Sequence, residues 1–338
     1  MNKGQVTIKD IAKELGISPS TVSKALKGHR DISASTKKAV KELVEKWNYI
    51  PDPIAQSLQG GKSKTIGVIV PEIAHYFFST VIGGIEDIAY DAGYHVMFCQ
   101  SSEVYAREVK AVDTLLSSRI DGILVSVSKT TSDYSHFRKI IDAGIPLVFF
   151  DRICNEIDTD RVIVDDEVGA YEAVKHLINI GCRNIVHLSG PPNLDIGKFR
   201  KDGYQRALRE FDIPLNDNNI IKCDTAEDAS VIVPQLLNRQ EKPDGIFAVN
   251  DMTAAAAMRK VLALGYRVPE DIAIVGFTSG LIPDITNPTL TSVEQHGYLI
   301  GREAVRMLID RIEKKNILPS QTKIVKTELV VKESTMRK

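Results

Sequence analysis

The stretch "TIKDIAKELGISPSTVSKALKG", residues 7–28, reads as two short helices joined by a tight turn. Thr7 and Ser18 stand where the helices would begin, and Pro19 follows at the first helical position, where a backbone N–H would have no partner. Apolar residues recur at helical spacing along one side of each segment, so the two apolar faces must pack together. These residues are Ile8, Ile11, Ala12 and Leu15 in the first helix and Val22, Ala25 and Leu26 in the second.

Three residues of this stretch match the positions that shape a helix-turn-helix. Ala12 is small where two helices would cross closely, Gly16 permits a positive φ at the turn, and Val22 is a branched apolar plug. A plain helical hairpin would show the same apolar pattern and stays open at this point. A third helix over about residues 35–47 completes a three-helix core, with Ala39, Val40, Leu43, Val44 and Trp47 at helical spacing.

The outward face of the second helix is polar, which favours a helix that enters the major groove of double-stranded DNA. Residues early in such a helix reach base edges, and the helix ends and the following loop contact phosphates. Lys24 is the best candidate for reading a base, and an ordinary solvated lysine is the alternative. The predicted DNA-binding positions here are Thr7, Ser18, Pro19, Ser20, Thr21, Ser23, Lys24, His29 and Arg30.

The charge of the chain is unevenly distributed. Residues 1–64 hold twelve Lys or Arg against six Asp or Glu, a net charge of +6, whereas the 338-residue chain has a formal net charge of −1. The remainder is therefore acidic, at −7. A basic segment joined to an acidic body predicts that the segment, and not the body, meets a polyanion.

From residue 65 onwards, short apolar strands alternate with amphipathic helices, which predicts parallel sheets covered by helices on both faces. The pattern runs twice, and its second round begins near residue 181, so we expect two Rossmann-like lobes. The predicted strands are 65–70, 95–99, 122–127, 146–150, 161–164, 184–189, 219–223, 245–249 and 272–276. The predicted helices are 78–92, 105–118, 167–180, 200–210, 228–238, 252–264 and 297–314.

Polar residues follow several of the predicted strands. They are Asp151, the pair Asn250 and Asp251, and the pair Thr278 and Ser279. Because a ligand of such a fold binds at the carboxyl ends of the strands, these residues are candidates for a site between the lobes. Each of them could instead cap a helix, which is the more common role of these residue types.

Several other classes of protein are not favoured. The four cysteines are far apart and indicate neither a disulfide framework nor a zinc site. No apolar run of 18 residues and no secretory leader occur, so we expect a cytoplasmic protein with no membrane partner. The "GGKS" at 60–63 precedes its strand and lacks the first glycine of a phosphate loop, and no GxSxG or HExxH motif is present. No cofactor is expected, although a sugar-active enzyme stays open as an alternative.

The same residues resemble the lactose repressor (LacI/GalR) family of bacterial transcription regulators over nearly the whole chain. "VTIKDIAKELGISPSTVSKAL" resembles the DNA-binding head of that family, and "IAQSLQGGKSKTIGVIVP" resembles its hinge and first core strand. "GIEDIAYDAGY", "RKDGYQRAL", "VNDMTAAAAM" and "LTSVEQ" resemble segments of its core. The resemblance implies an effector-controlled DNA-binding regulator that is not an enzyme.

The resemblance also implies a division of the chain into three parts. Residues 1–50 would form the helix-turn-helix head, 51–64 a hinge helix and linker, and 65–338 an effector-binding and dimerisation core that crosses between its lobes near 165–183 and 278–300. A homodimer would place two heads on a pseudo-palindromic operator. The hinge helix would press Leu58 into the minor groove, and a passive tether is the alternative.

A core like that of the periplasmic sugar-binding proteins implies a small, sugar-like effector between the lobes. Carried over by position, the effector-binding residues are Phe77, Phe78, Asp151, Arg200, Asn250, Thr278 and Gln295. Thr278 stands where the family commonly has aspartate, and it offers one neutral hydroxyl in place of two charged acceptor oxygens. A standard hexose pose is therefore not expected. A solute-binding protein is a further alternative, which the basic head contradicts.

Overall fold

A computed structural model describes residues 6–49, 63–314 and 319–337 of the chain. The described residues form two compact units that divide between Lys64 and Thr65. The predicted hinge helix, with Leu58, lies outside the described residues.

The N-terminal unit is a three-helix bundle with α1 (Ile8–Glu14), α2 (Pro19–Leu26) and α3 (Ala34–Trp47). Side-chain hydrogen bonds fix the helix starts: the Asp10 carboxylate accepts from the backbone N–H of Thr7 at 2.8 Å, and Ser18 Oγ accepts from the N–H of Thr21 at 3.1 Å. Gly16 has a φ of 64°, as predicted for the turn residue. The core consists of Ile11, Ala12, Val22, Ala25, Val40 and Leu43.

One predicted core residue of this unit is wrong. Leu26 is 38% exposed, whereas its neighbour Ala25 is buried. Successive residues of an α-helix point about 100° apart, so Leu26, the last residue of α2, lies beside the apolar stripe that Val22 and Ala25 form.

The C-terminal unit contains two six-stranded sheets covered by helices, so the predicted two-lobed α/β core is confirmed. The first lobe contains β1 (Thr65–Val70), α4 (Tyr76–Asp91), β2 (His95–Gln100), α5 (Tyr105–Ser117), β3 (Gly122–Val125), α6 (Ser135–Asp142), β4 (Leu147–Phe150), β5 (Asp160–Val164), α12 (Gly297–Lys314) and β11 (Thr322–Val325). The second lobe contains α7 (Asp166–Asn179), β6 (Ile185–Ser189), α8 (Asp195–Glu210), β7 (Ile220–Lys222), α9 (Ala226–Leu237), β8 (Gly245–Ala248), α10 (Asp251–Ala263), β9 (Ala273–Thr278), α11 (Leu281–Ile285), β10 (Thr291–Glu294) and β12 (Glu328–Val330).

The strand orders are β11-β5-β4-β3-β1-β2 in the first sheet and β12-β10-β9-β8-β6-β7 in the second. Neighbouring strands are parallel except β10 and β12, which pair antiparallel. The chain passes between the lobes after β5, after β10 and between β11 and β12. The third passage, at 326–327, is absent from the sequence prediction. The strands on either side of it, β11 and β12, have only four and three residues, too few to show a clear apolar pattern.

Each of the nine predicted strands lies within two residues of an observed strand. The predicted strands and helices given above do not include α6, α11, β10, β11 or β12, and the predicted start of α8, at residue 200, is five residues late. Gly197 in the first turn of α8 resembles a helix breaker, but a side chain there would crowd the carbonyl oxygen of Pro191. The glycine therefore serves close packing rather than a helix end.

Two helices of the first lobe pack backbone to backbone. Gly84 of α4 lies against the carbonyl oxygen of Tyr298 in α12, and Gly301 of α12 lies against the carbonyl oxygen of Val81 in α4. A methyl group at either glycine would overlap that oxygen. This reciprocal contact fixes the distance between the two helices that cover one face of the sheet.

No helix in the described ranges is both long and apolar enough to cross a membrane. Within the same ranges, no group of three or more His, Cys, Asp or Glu side chains is placed to hold a metal ion.

The glycine contact gives a test of the packing. Gly84→Ala should destabilise the core by about 1–3 kcal/mol, because the added methyl forces the two helices apart. Gly83→Ala is the matched control: its methyl would lie 3.9 Å from the Tyr298 ring, so it should raise stability by about 0.5–1 kcal/mol through helix propensity. Thermal or urea unfolding of both variants measures the difference, and equal stabilities would contradict the close approach.

Candidate functional site

A cavity of about 390 Å³ lies between the two lobes of the core, at the carboxyl ends of their parallel strands. Its size is within the usual range of small-molecule sites. All seven positions proposed for effector binding line this one cavity: Phe77, Phe78, Asp151, Arg200, Asn250, Thr278 and Gln295.

Phe77 and Phe78 lie in the first turn of α4 and form an aromatic wall. Both rings are buried and meet edge to face, with centroids 5.2 Å apart. The guanidinium of Arg152 lies 5.7 Å from the centroid of Phe78 on the same side of the cavity. An aromatic face next to polar groups suits the C–H face of a sugar ring or the plane of a base.

Asp151 follows β4 in a left-handed conformation, with a φ of 58°. Asp151 is 8% exposed, and its carboxylate contacts Ser126 Oγ at 3.5 Å and Arg152 Nε at 3.9 Å. Burial raises the pKa of Asp151 to about 6, although the nearby Arg152 opposes that shift. The group is a buried acceptor without a short hydrogen bond from the protein.

Arg200 of α8 is 3% exposed and is held from several directions. Its Nε and Nη2 lie 2.7 Å from Oδ1 of Asp166, and its Nη1 donates to the carbonyl of Val249 at 2.6 Å. The guanidinium stacks on the ring of Phe277 at 3.7 Å. Arg200 thus reaches the cavity while its charge is already neutralised by Asp166.

Asn250 caps α10. Its Oδ1 accepts from the N–H of Thr253 at 2.8 Å, and its Nδ2 donates to the carbonyl of Asp224 at 3.0 Å. The helix-cap alternative for this residue is therefore what the structure contains, and the side chain lines the cavity with both of its polar groups engaged. Thr278, at the end of β9, has a φ of 132°, an unusual conformation for a β-branched residue that marks a strained turn between β9 and α11.

Gln295 lies at the second passage between the lobes and is 2% exposed. Its Nε2 has no hydrogen-bond partner among the described residues, and the same holds for Nδ1 of His75. Burial lowers the pKa of His75, and Arg152 adds to that effect, so its ring is neutral near pH 7. A buried donor without a partner is costly in an isolated protein, which makes Gln295 a strong candidate to bind a ligand oxygen.

The sequence prediction missed six charged residues that line the cavity: Glu72, Glu227 and the four strand-end loop residues Glu103, Lys129, Arg152 and Asp224. Arg152 and Asp224 each stand two residues after a strand, β4 and β7 respectively. Glu103 stands three residues after β2, and Lys129 four residues after β3. The sequence analysis selected polar residues directly after a strand, such as Asp151. Including the next few loop residues would have selected these four as well.

Three contacts join the lobes directly near this cavity. Lys129 Nζ lies 3.6 Å from Asp224 Oδ2, and the carbonyl of Lys129 accepts from Asn193 Nδ2 at 2.6 Å. Asn155 Nδ2 donates to Asp195 Oδ2 at 2.5 Å. These three contacts join the two lobes beside the cavity.

At the passages between the lobes, Asp165 and Thr327 tie two chain segments to each other. Asp165 Oδ1 accepts from both the backbone N–H and the Oγ1 of Thr327, at 2.7 and 2.8 Å. The next residue, Asp166, is the partner of Arg200. Adjacent side chains thus connect the cavity wall to the first and third passages.

The N-terminal unit carries the predicted DNA-binding positions other than Leu58. Seven of them are exposed, namely Thr7, Ser18, Pro19, Ser20, Lys24, His29 and Arg30, and Thr21 and Ser23 are half-buried. The hydroxyls of Ser20 and Thr21 lie 2.7 and 2.8 Å from Ser18 Oγ, so this cluster also organises the start of α2. His29 Nδ1 lies 3.2 Å from Asp31, and Lys24 projects from the exposed side of the helix.

Comparison with known proteins agrees with both units. Residues 7–52 match the family described as bacterial regulatory proteins, lacI family, and residues 174–335 match a periplasmic binding protein-like domain. The chain is 34% identical to the HTH-type transcriptional repressor PurR of Vibrio atlanticus, over 92% of this chain and 93% of that protein. It is 32% identical to the ribose operon repressor of Halalkalibacterium halodurans, over 97% of both proteins.

Among solved structures, the lac repressor dimer bound to operator and the anti-inducer ONPF has a TM-score of 0.85 and 26% identity to this chain. The similarity covers 98% of this chain and 100% of that one. Because the sequence relatives exceed 30% identity over nearly their whole length, the chain belongs to the lacI family of bacterial regulatory proteins.

Proposed function

We propose that this protein is a transcriptional repressor whose affinity for an operator is controlled by a small, sugar-like effector bound between the lobes of its core. The observation that carries the proposal is the presence, in one chain, of a helix-turn-helix with an exposed polar second helix and of a ligand-sized cavity with buried, unpartnered polar groups. The repressors named among its relatives support the same conclusion.

The head would bind DNA through α2. Its first residues, including Pro19 and Ser20, are short, and Lys24 one turn later has the reach to contact a base edge. Residues 1–50 would act as the DNA-binding domain, and residues 51–64 would form the hinge that presses Leu58 into the minor groove. The protein would act in the cytoplasm, where its operator lies.

A homodimer would present two heads to the two halves of an operator. The second lobe exposes large apolar side chains in α11, among them Leu281 and Ile285, of which Ile285 is 68% exposed. A second copy of the chain would cover such groups, since exposed apolar patches mark interaction surfaces. The solved lac repressor structure, which is a dimer on operator DNA, supports this assembly.

Effector binding would act through the angle between the lobes. Arg200 borders the cavity and binds Asp166, whose neighbour Asp165 binds Thr327 in the third passage. A ligand that prefers one lobe angle would shift the passages and with them the spacing of the two heads in a dimer. Such coupling between two sites typically amounts to about 1–3 kcal/mol.

The two alternative functions have less support. A solute-binding protein would not need the basic three-helix head, and a sugar-active enzyme would need reactive groups positioned around a substrate. The family comparison names regulators over the whole length of the chain.

The test is a DNA-binding assay on the full-length protein. Sequences selected from a random duplex library would yield a palindromic site, and fluorescence anisotropy on that site would then be repeated with candidate sugars and nucleosides. A ligand that saturably changes operator affinity supports the proposal. A protein that selects no sequence, or that converts a sugar to a product, contradicts it.

Lys24→Ala should weaken operator binding by about 1–3 kcal/mol and relax the sequence preference at one base position, because it removes a base-reading cation. Lys38→Ala removes the same charge from an exposed, ion-paired position of α3 and serves as the control. Anisotropy titrations and footprints of both variants measure the difference. A wild-type footprint for Lys24→Ala would exclude the base-reading role.

Gln295→Leu should lower effector affinity by about 5- to 150-fold, which corresponds to one lost buried hydrogen bond of about 1–3 kcal/mol. Operator affinity in the absence of effector should not change. Because the amide nitrogen has no partner among the described residues, thermal stability should not fall. Arg200→Ala gives the contrast, since it leaves Asp166 buried without its cation and should lower the Tm as well. An unchanged effector affinity in Gln295→Leu would place the ligand elsewhere.

Thr327→Val keeps the shape of the side chain and removes the hydroxyl that binds Asp165. Effector affinity should stay within about threefold of wild type, whereas the effector-dependent change in operator affinity should shrink by about 0.5–2 kcal/mol. Thr114→Val, which removes an exposed hydroxyl from α5, is the control. If both variants respond to effector like wild type, Asp165 and Thr327 are not part of the coupling.

A further inference from the structure

The charges around the cavity between the lobes are unbalanced towards acid. Five carboxylates line it, from Glu72, Glu103, Asp151, Asp224 and Glu227, against three cationic side chains, from Lys129, Arg152 and Arg200. Each of the three cations also has a carboxylate of the protein beside it. The three lining cations thus all have a carboxylate neighbour, although Asp224 is shared by Lys129 at 3.6 Å and Lys222 at 2.8 Å.

The arrangement around Arg152 is the tightest of these on the first lobe. Its Nη1 donates to both oxygens of Glu103, at 2.7 and 2.9 Å, and its Nε lies 3.9 Å from Asp151. One guanidinium thus lies between two carboxylates. The backbone N–H of Lys129 also donates to Glu103 at 2.8 Å, which fixes the position of the Glu103 carboxylate.

The other two cations are similarly engaged. Lys129 Nζ faces Asp224 at 3.6 Å across the lobes, and Arg200 binds the buried Asp166 at 2.7 Å. Removing any of these carboxylates from its cation to admit a ligand anion would exchange one ion pair for another and leave behind a carboxylate that is buried at Asp166 and half-buried at Glu103 and Asp224. Such an exchange is unfavourable, because an uncompensated buried charge is strongly destabilising.

Two lining groups with a long hydrogen bond or none, Asp151 and Gln295, favour a ligand without an anionic group. Arg152 Nε also lacks a hydrogen-bond partner, and it faces Asp151 at 3.9 Å. Asp151 is 8% exposed and receives no hydrogen bond shorter than 3.5 Å, so it needs a donor. The amide nitrogen of Gln295 is a neutral donor, which suits a hydroxyl or carbonyl oxygen of the ligand. A ligand with several hydroxyl groups satisfies both, and one with an ammonium group satisfies Asp151 by charge as well.

We propose that this cavity selects an effector that carries no phosphate or carboxylate group and brings a hydroxyl or ammonium donor to Asp151, and that Glu103 determines this specificity by neutralising Arg152. The inference rests on the proposed effector function of the cavity. The proposed specificity favours free polyhydroxy and amino compounds over their phosphorylated forms. The ion pair between Glu103 and Arg152 is responsible for this preference.

The ion pair can be tested without knowledge of the natural effector by using inorganic phosphate as the probe. Glu103→Gln removes the charge that neutralises Arg152 and keeps one acceptor oxygen. Its Tm should rise saturably with phosphate at constant ionic strength, with an affinity at least about tenfold above wild type. The reason is that Arg152 then has only Asp151 beside it, at 3.9 Å, and Arg binds phosphate oxygens strongly. Wild-type protein should show no saturable rise.

Glu156→Gln is the matched control. Glu156 pairs with Arg138 at an exposed site outside the cavity, so its loss changes the net charge by the same amount without freeing a cavity cation. Asp224→Asn, which removes the carboxylate shared by Lys129 and Lys222, is the second variant in case Glu103→Gln does not fold, and it should also gain phosphate binding. Phosphate binding by wild type, an equal gain in Glu156→Gln, or no gain in the folded cavity variants would overturn the proposal.

A second experiment tests the ligand class on the full-length wild-type protein. Calorimetry would compare D-ribose with ribose 5-phosphate, D-glucose with glucose 6-phosphate, and D-glucose with D-glucosamine. The free member of each phosphorylated pair that binds should bind at least about tenfold more tightly than its phosphate. Tighter binding of glucosamine than glucose would identify an ammonium as the donor to Asp151, and the reverse would identify a hydroxyl. Tighter binding of either sugar phosphate than of its free sugar overturns the inference. If no sugar binds, the sugar-like effector of the proposed function is contradicted. The Tm response of Glu103→Gln to inorganic phosphate then decides the role of Glu103.

Discussion

Three chain passages between two separately packed lobes are the constraint on which the core depends. Because the strands of each sheet are almost all parallel, their carboxyl ends meet along one edge, and the passages hold the two edges face to face. The loops that follow β2, β3, β4, β7 and β8 must therefore converge on one cavity. Polar residues far apart in sequence become neighbours there, and each lobe keeps its own apolar core on both faces of its sheet.

This convergence creates an electrostatic problem that the protein solves with its own side chains. Asp166, Glu103 and Asp224 each hold a cation beside the cavity, so the site contains many charges and little net attraction for an anion. Paired charges in a low-dielectric setting still orient a ligand by hydrogen bonding, and they do so with little reorganisation. Specificity then depends on the lining groups whose hydrogen bonds are long or missing, chiefly Asp151 and Gln295.

The sequence predicts the alternation of strands and helices well, because apolar runs and helical periodicity are local properties. It also selects Gly16 for the turn of the head and seven positions that prove to line one cavity. Roles are harder to predict than positions. Whether Asn250 caps α10 or binds a ligand depends on the placement of Asp224, which lies in another strand-end loop. The pairing of Glu103 with Arg152 joins segments 49 residues apart, and no local pattern encodes it.

The contacts between the lobes also bear on how a ligand could control the protein. Lys129 and Asp224 form an ion pair that is partly open to solvent, with the lysine side chain 35% exposed, and such pairs contribute about 0–1 kcal/mol. The two amide contacts near them, from Asn193 and Asn155, are single hydrogen bonds, each worth about 0.5–1.5 kcal/mol net. A ligand that satisfies two buried groups contributes a comparable or larger free energy. A ligand shifts a conformational equilibrium only by the difference in its affinity for the two states. Because the direct contacts between the lobes are weak, that difference can exceed their free energy and determine which lobe angle is populated.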